Sequence, residues 1–126
     1  MNEKPYKISV EVTPSFIEEQ SRPDQGHYVF SYTVTIINDG SMPARLLTRH
    51  WIIKDAMGGI QEVKGDGVVG EQPYLKPGEG FQYTSGTMMK TASGSMTGSY
   101  HMIADDGYHF EADIPEFYLL APTTLH

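Results

Sequence analysis

The residues with the most chemical promise form a glycine run, Gly65-x-Gly67-x-x-Gly70, flanked by Lys64 and Lys76. Its spelling is that of a dinucleotide-binding turn. That motif works between a buried parallel strand and a helix, because the helix N-terminus holds the pyrophosphate while the glycines let the backbone approach it. Here Pro73 follows too soon for a helix to form, and no strand–helix–strand unit surrounds the run. Two uses remain. The glycines can supply the positive φ of a tight inter-strand loop. Alternatively, successive backbone N–H groups can cradle phosphate, pyrophosphate or a nucleotide, with Lys64 and Lys76 adding positive charge and Asp66 and Glu71 opposing it.

The five histidines are His27, His50, His101, His109 and His126, with no i, i+4 pair at helical spacing and no HExxH. Strand alternation points His101, His109 and Glu111 outward on one face, with His101 opposite Glu111. Two imidazoles and a carboxylate make a weak candidate site for a borderline metal such as cobalt. Exposed polar residues on the wet side of a sheet are the simpler reading. Asp105 and Asp106, beside Glu111 and Asp113, lack the spacing of a calcium loop and fit a hairpin turn better. Serines and threonines are abundant, but no nucleophile elbow or convincing base accompanies them. The carboxylates are not paired in apolar settings that would separate their pKa values. The expectation is a chain with no catalytic residue and no cofactor.

The elements that position these groups are strands. In 126 residues, 13 glycines and 8 prolines, with 11% aromatics, make a turn-rich, strand-rich composition. There is no cysteine, which excludes a disulfide scaffold, a thiolate zinc site and a cysteine nucleophile. A net charge of −7 argues against nucleic acid as a partner. No signal peptide or apolar run near the roughly 20 residues of a bilayer span is present, so no membrane association and a cytoplasmic location are expected.

Residues 6–20 read as a first strand with Ile8, Val10 and Val12 on one face; Pro14 makes it an edge strand or a bulged one. Residues 27–37 alternate most cleanly, with Phe30, Tyr32, Val34 and Ile36 inward. Residues 44–54 follow, with Leu47, Trp51 and Ile53 inward. Arg49 shares their parity, so its guanidinium needs a carboxylate or carbonyl partner and is expected near the open end of the strand. Lys76-Pro77-Gly78-Glu79 spells a type II turn. Residues 87–98 read as a loop. Tyr100, Met102, Phe110 and Ala112 form a hairpin around Asp105-Asp106-Gly107, with Met102 opposite Phe110 and Tyr100 opposite Ala112. Pro115 is expected to end that hairpin, leaving 117–120 as an apolar tail that docks on the core or serves an interface. About seven short strands with frequent turns predict one all-β domain over residues 1–126, a two-sheet antiparallel sandwich with residues 1–5 flexible.

Three stretches, residues 49–55 (Arg49-His50-Trp51-Ile52-Ile53-Lys54-Asp55), 65–73 (Gly65 to Pro73) and 75–83 (Leu75 to Tyr83), together resemble the ApaG family. The end of the chain, from Gly94-Ser95-Met96 to Asp106-Gly107 and Phe110, is similar to it as well. The resemblance implies an immunoglobulin-like or fibronectin type III-like sandwich, and a bacterial protein linked to cobalt resistance and magnesium efflux. Its genes often neighbour a diadenosine-tetraphosphate hydrolase, and similar eukaryotic domains look like protein-binding modules. The family has no established catalytic residues; the motif usually singled out in it maps onto Gly65, Gly67 and Gly70. The leading expectation is therefore a non-enzymatic interaction module for an unidentified protein partner, with the Gly65–Pro73 loop and neighbouring turn as its patch and a homodimer as a further possibility. The alternative is phosphate, pyrophosphate or nucleotide binding at the glycine loop, and the weakest is an enzyme acting on dinucleoside polyphosphates.

Overall fold

The computed structural model describes residues 4–122. The strands are β1 (Ile8–Phe16), β2 (Tyr28–Asn38), β3 (Ala44–Asp55), β4 (Ile60–Asp66), β5 (Tyr74–Leu75), β6 (Gly80–Met89), β7 (Ser93–Ala104) and β8 (His109–Leu120). They form two antiparallel sheets, one ordered β1-β2-β6 and the other β4-β3-β7-β8 with β5 also paired to β3. This is the expected sandwich. No helix among the described residues is long and apolar enough to cross a membrane.

The alternation in β2 sets one inner face: Phe30, Tyr32, Val34 and Ile36 are all buried. Pro14 lies in β1 opposite Tyr32, at the sheet edge where its missing N–H costs no ladder bond. The other inner face carries Trp51, Ile53, Met96, Tyr100, Met102 and Ile114. Trp51 is 2% exposed and meets Tyr32, Tyr100 and Phe117 edge-on. Met102 faces Phe110 and Tyr100 faces Ala112, as the hairpin register requires. Gly107 has φ +85° at its turn, and Gly78 has φ +86° in the Lys76–Glu79 turn. Asn38 closes β2 as a buried pin. Its amide donates to the carbonyls of Met42 and Leu75, and its Oδ1 accepts the Gly40 N–H, all at 2.9 Å.

Three local expectations are corrected. Leu47 is not the core residue of early β3; Leu46 is, because a register shift between Leu46 and Thr48 flips the strand. The segment 87–98 is not a loop. It ends β6 and begins β7, and its glycines fit close backbone approach, since a Cβ at Gly94 or Gly98 would strike the carbonyl oxygen of Lys54 or His50. Pro115 does not stop β8. The register shift between Met96 and Gly98 gives β8 an extra residue, on an edge strand that tolerates the missing donor. The parity of β8 flips there, so Leu119 is fully buried while Tyr118 and Leu120 are exposed. The expected apolar tail is thus split between core and surface. Of the leader at 1–5, residues 1–3 lie outside the described residues, as does His126. The carbonyls of Lys4 and Pro5 accept the N–H groups of Ser41 and Met42 at 3.1 Å, tying them to the β2–β3 turn.

Inside the core the hydroxyls of Tyr83 and Tyr100 bond each other across the two sheets. Burial pushes the Tyr83 phenol up to about 12 and that of Tyr100 higher still. Both groups keep their protons in the folded protein at pH values where the unfolded chain, with phenols near 10.0, has lost them. The native state then binds more protons, so stability falls as pH rises from about 10 through 12. Urea unfolding followed against pH is predicted to show a flat midpoint to about pH 9.5 and a steep decline above it. Replacing both partners (Tyr83→Phe with Tyr100→Phe) should flatten that decline at a cost of at most about 1.5 kcal/mol near neutral pH. An unchanged alkaline slope in the double variant would contradict the assignment.

Candidate functional site

The two sheets are joined unequally at their edges. On one flank β1 packs against β8; no comparable packing joins β4 to β6 on the other. That open flank holds two adjoining hollows of about 270 and 140 Å³, both walled by Tyr32, Arg49, Trp51 and Ser85. Gln61, Val63 and Thr87 complete the larger, and Val68, Val69 and Tyr83 the smaller. Among the described residues no carboxylate lines either hollow.

Arg49 is here because β3 resumes an inward parity after its bulge. The guanidinium does not sit at the end of the strand, as the sequence suggests, but beside the open flank of the sandwich. Its partners are carbonyls: Nη1 donates to the backbone oxygens of Asp66 and Gly67, both at 2.9 Å. The route runs directly over Gly65, the cross-strand partner of Arg49. A Cβ on Gly65 would lie 2.8 Å from Nη2 and 2.9 Å from both Cζ and Nη1, so the guanidinium is laid flat over that position.

Each glycine of the run therefore has a separate task. Gly65 clears the way for Arg49. Gly67 has φ +61°, and a Cβ there would strike the carbonyl oxygen of Glu71. Gly70 turns the chain at φ +81°, next to Val69 at φ 43°. Three of the loop's N–H groups are spent inside the protein, since Gly67 donates to Leu47 and Val68 and Glu71 bond each other's carbonyls, while those of Val69 and Gly70 have no partner among the described residues. The Leu47 carbonyl also accepts Nε2 of Gln72 at 2.9 Å, so the loop holds the β3 bulge in place. The two lysines do not converge on the loop. Lys64 pairs in register with His50 and lies 3.6 Å from Glu62. Lys76 follows Leu75, which pairs with Ala44. The six residue steps along β3 from Ala44 to His50 separate the two by about 20 Å, at roughly 3.3 Å per residue.

The outward face of the five-stranded sheet carries the other candidates. His101 and His109 bond through Nε2 and Nδ1 at 2.9 Å, with Glu111 opposite His101. Among the described residues, no three His, Asp or Glu side chains are grouped to hold a metal ion. Asp105 and Asp106 accept the hydroxyls of Tyr74 and Tyr6. Those bonds raise both phenols above their ordinary value and lower the Asp106 carboxyl. His50 bonds Glu62 at 2.6 Å and holds that carboxyl below its usual range. His50, His101 and Glu111, with Arg49, Lys64 and Asp66, also line a hollow of about 470 Å³ on this face, and the bonds named brace the surface around it. The residue that sequence reasoning left out of the site is Arg49, although its inward parity beside Trp51 was visible.

Residues 18–104 match the family model of the ApaG domain. Protein ApaG of Dechloromonas aromatica is 57% identical over 121 residues, covering 96% of this chain and 95% of that protein. Protein ApaG of Methylococcus capsulatus is 56% identical over 126 residues, the full length of both. The crystal structure of the ApaA protein from Bordetella pertussis superimposes with a TM-score of 0.94 at 52% identity, covering 98% of this chain and 100% of that one. A protein from Archaeoglobus fulgidus, 8% identical with a TM-score of 0.54, shares the fold alone.

The packing of Arg49 over Gly65 gives a stability test. Gly65→Ala should displace the guanidinium from its carbonyls and cost about 1–3 kcal/mol. In an Arg49→Gln background the same change should cost less by about 1 kcal/mol or more, because the displaced group is gone. Equal costs in both backgrounds, read by urea unfolding, would show that the two positions are independent.

Proposed function

Since the chain belongs to the ApaG family, we propose that it is a binding module rather than an enzyme, and that its ligand enters between the sheets on the β4–β6 flank. The observation that carries this reading is the asymmetry of the sandwich: on one flank β1 packs against β8, while the other lacks such packing and presents a cleft with the Arg49 guanidinium on its wall. Exposed apolar residues add to it. Ile60 and Met88 border a further hollow of about 280 Å³ with Ile53 and Met89, and both are more than half exposed. Apolar rims beside a cleft are typical of surfaces that meet a partner.

A glycine-loop pyrophosphate site is less well supported, because the N–H groups of Gly67, Val68 and Glu71 already have partners and Lys76 lies far along β3. The link to cobalt and magnesium handling that the resemblance implies is, in this reading, exerted through the bound partner and not by an ion held on the chain. Cytoplasmic action on a protein partner fits the acidic surface, which disfavours nucleic acid.

Filling the cleft tests the proposal. Ser85→Tyr places a bulky side chain in the hollow, whereas His101→Ala alters the outward sheet face. Immobilised wild-type protein is expected to retain a ligand from native cell extract that the His101→Ala protein also retains and the Ser85→Tyr protein loses. Retention by the folded Ser85→Tyr protein equal to wild type would place binding elsewhere.

A further inference from the structure

Arginine offers five N–H donors. In Arg49, Nη1 bonds the two loop carbonyls, while Nε and Nη2 have no partner among the described residues. No described carboxylate forms an ion pair with it either. Among those residues no buried side-chain nitrogen or oxygen lacks a partner, so the unused donors are open to solvent rather than sealed in the core. Nε–H and the adjacent Nη2–H form the side-on fork of a guanidinium, the edge that holds two oxygens of a carboxylate or phosphate at once. Nη1 is fixed by the protein, so this fork is oriented before any ligand arrives. Its neighbours suit an anion. Ser85 and Tyr32 carry hydroxyls with no partner among the described residues, and the walls hold no carboxylate.

We propose that the Arg49 fork is an oxyanion site, taking a single phosphate or carboxylate group in the cleft between β4 and β6. The site deepens the binding reading above and rests on it for its location. It is separate from a glycine-loop cradle: the loop supplies carbonyls that position Arg49, and the guanidinium contacts the ligand. Charge alone does not suffice in such a site. Lysine at position 49 would keep the charge but lose the planar fork.

The chain has a single tryptophan, Trp51, and it lines both hollows. Its fluorescence therefore reports on occupancy. Inorganic phosphate, pyrophosphate and acetate would each be titrated at low ionic strength, with sodium chloride as control. Phosphate or acetate is predicted to give a saturable change below about 10 mM, in the range of one charge-assisted contact. Arg49→Lys should weaken it by about ten-fold or more, and Lys64→Gln with Lys76→Gln should leave it within about two-fold. Ser85→Asp, which puts a carboxylate into the same hollow at a half-buried position, should abolish the response and decides the matter if Arg49→Lys does not fold. A stronger response to acetate points to a protein carboxylate as the group recognised, and a stronger response to phosphate points to a phosphorylated ligand. Three results overturn the proposal: no saturable change in wild type, full affinity in Arg49→Lys or Ser85→Asp, or loss in the lysine variants. If the anions fail while Ser85→Tyr still abolishes capture from extract, the cleft stands as a binding site and only its anion chemistry falls.

Discussion

A single positive charge between two apolar sheets shapes this molecule. A half-buried guanidinium at the mouth of an apolar core needs partners for the N–H groups it turns inward, because desolvating a charge without partners costs several kcal/mol. The protein meets that need with main-chain carbonyls, those of Asp66 and Gly67. The remaining constraints follow from this choice. The residue across the ladder must be a glycine for the guanidinium to pass. The chain after β4 must fold back so that its carbonyls point inward, which calls for the positive φ at Gly67. The Gly67 N–H then reaches the Leu47 carbonyl, where the bulge sets the parity that turns Arg49 inward. Bulge, glycine loop and arginine form one linked arrangement.

The flanks of the sandwich divide its tasks. Where β1 packs on β8, Phe117 reaches in from β8 to meet Trp51 edge-on and Tyr32 at a tilt, rings that stand between the two flanks. Where β4 and β6 would meet, the space is left open and its walls become polar. Outside, the five-stranded sheet is braced by local bonds such as His50 with Glu62 and His101 with His109. Those groups are engaged with one another at the surface, whereas Arg49 keeps donors in reserve.

Much of the architecture is legible in the sequence, because alternation and turn chemistry are local. The inward set of β2, the edge-or-bulge choice that Pro14 imposes, the positive φ at Gly78 and the β7–β8 register next to the hairpin turn all follow from neighbouring residues. The misreadings come where distant backbone decides. Whether Leu46 or Leu47 enters the core depends on donors from Gly67 and Gln72, some twenty residues on, that capture the Leu47 carbonyl. The small residues of 87–98 look like a loop only until β3 is placed against Gly94 and Gly98. Pro115 would end a central strand, but it sits on an edge with a bulge to absorb it. For the site, the glycine run is conspicuous in sequence, yet its spacing suggests N–H groups facing a ligand. In the folded chain its carbonyls face Arg49, and that reversal depends on a cross-strand pairing that spacing alone does not reveal.

The most direct measurement is the side-chain NMR of the arginines. The Nη1 protons of Arg49 are predicted to be resolved and slow to exchange with solvent, since both loop carbonyls hold them and rotation about Nε–Cζ is hindered. Its Nε proton should exchange much faster, as an open donor does. Averaged, rapidly exchanging Nη signals for Arg49 would contradict this.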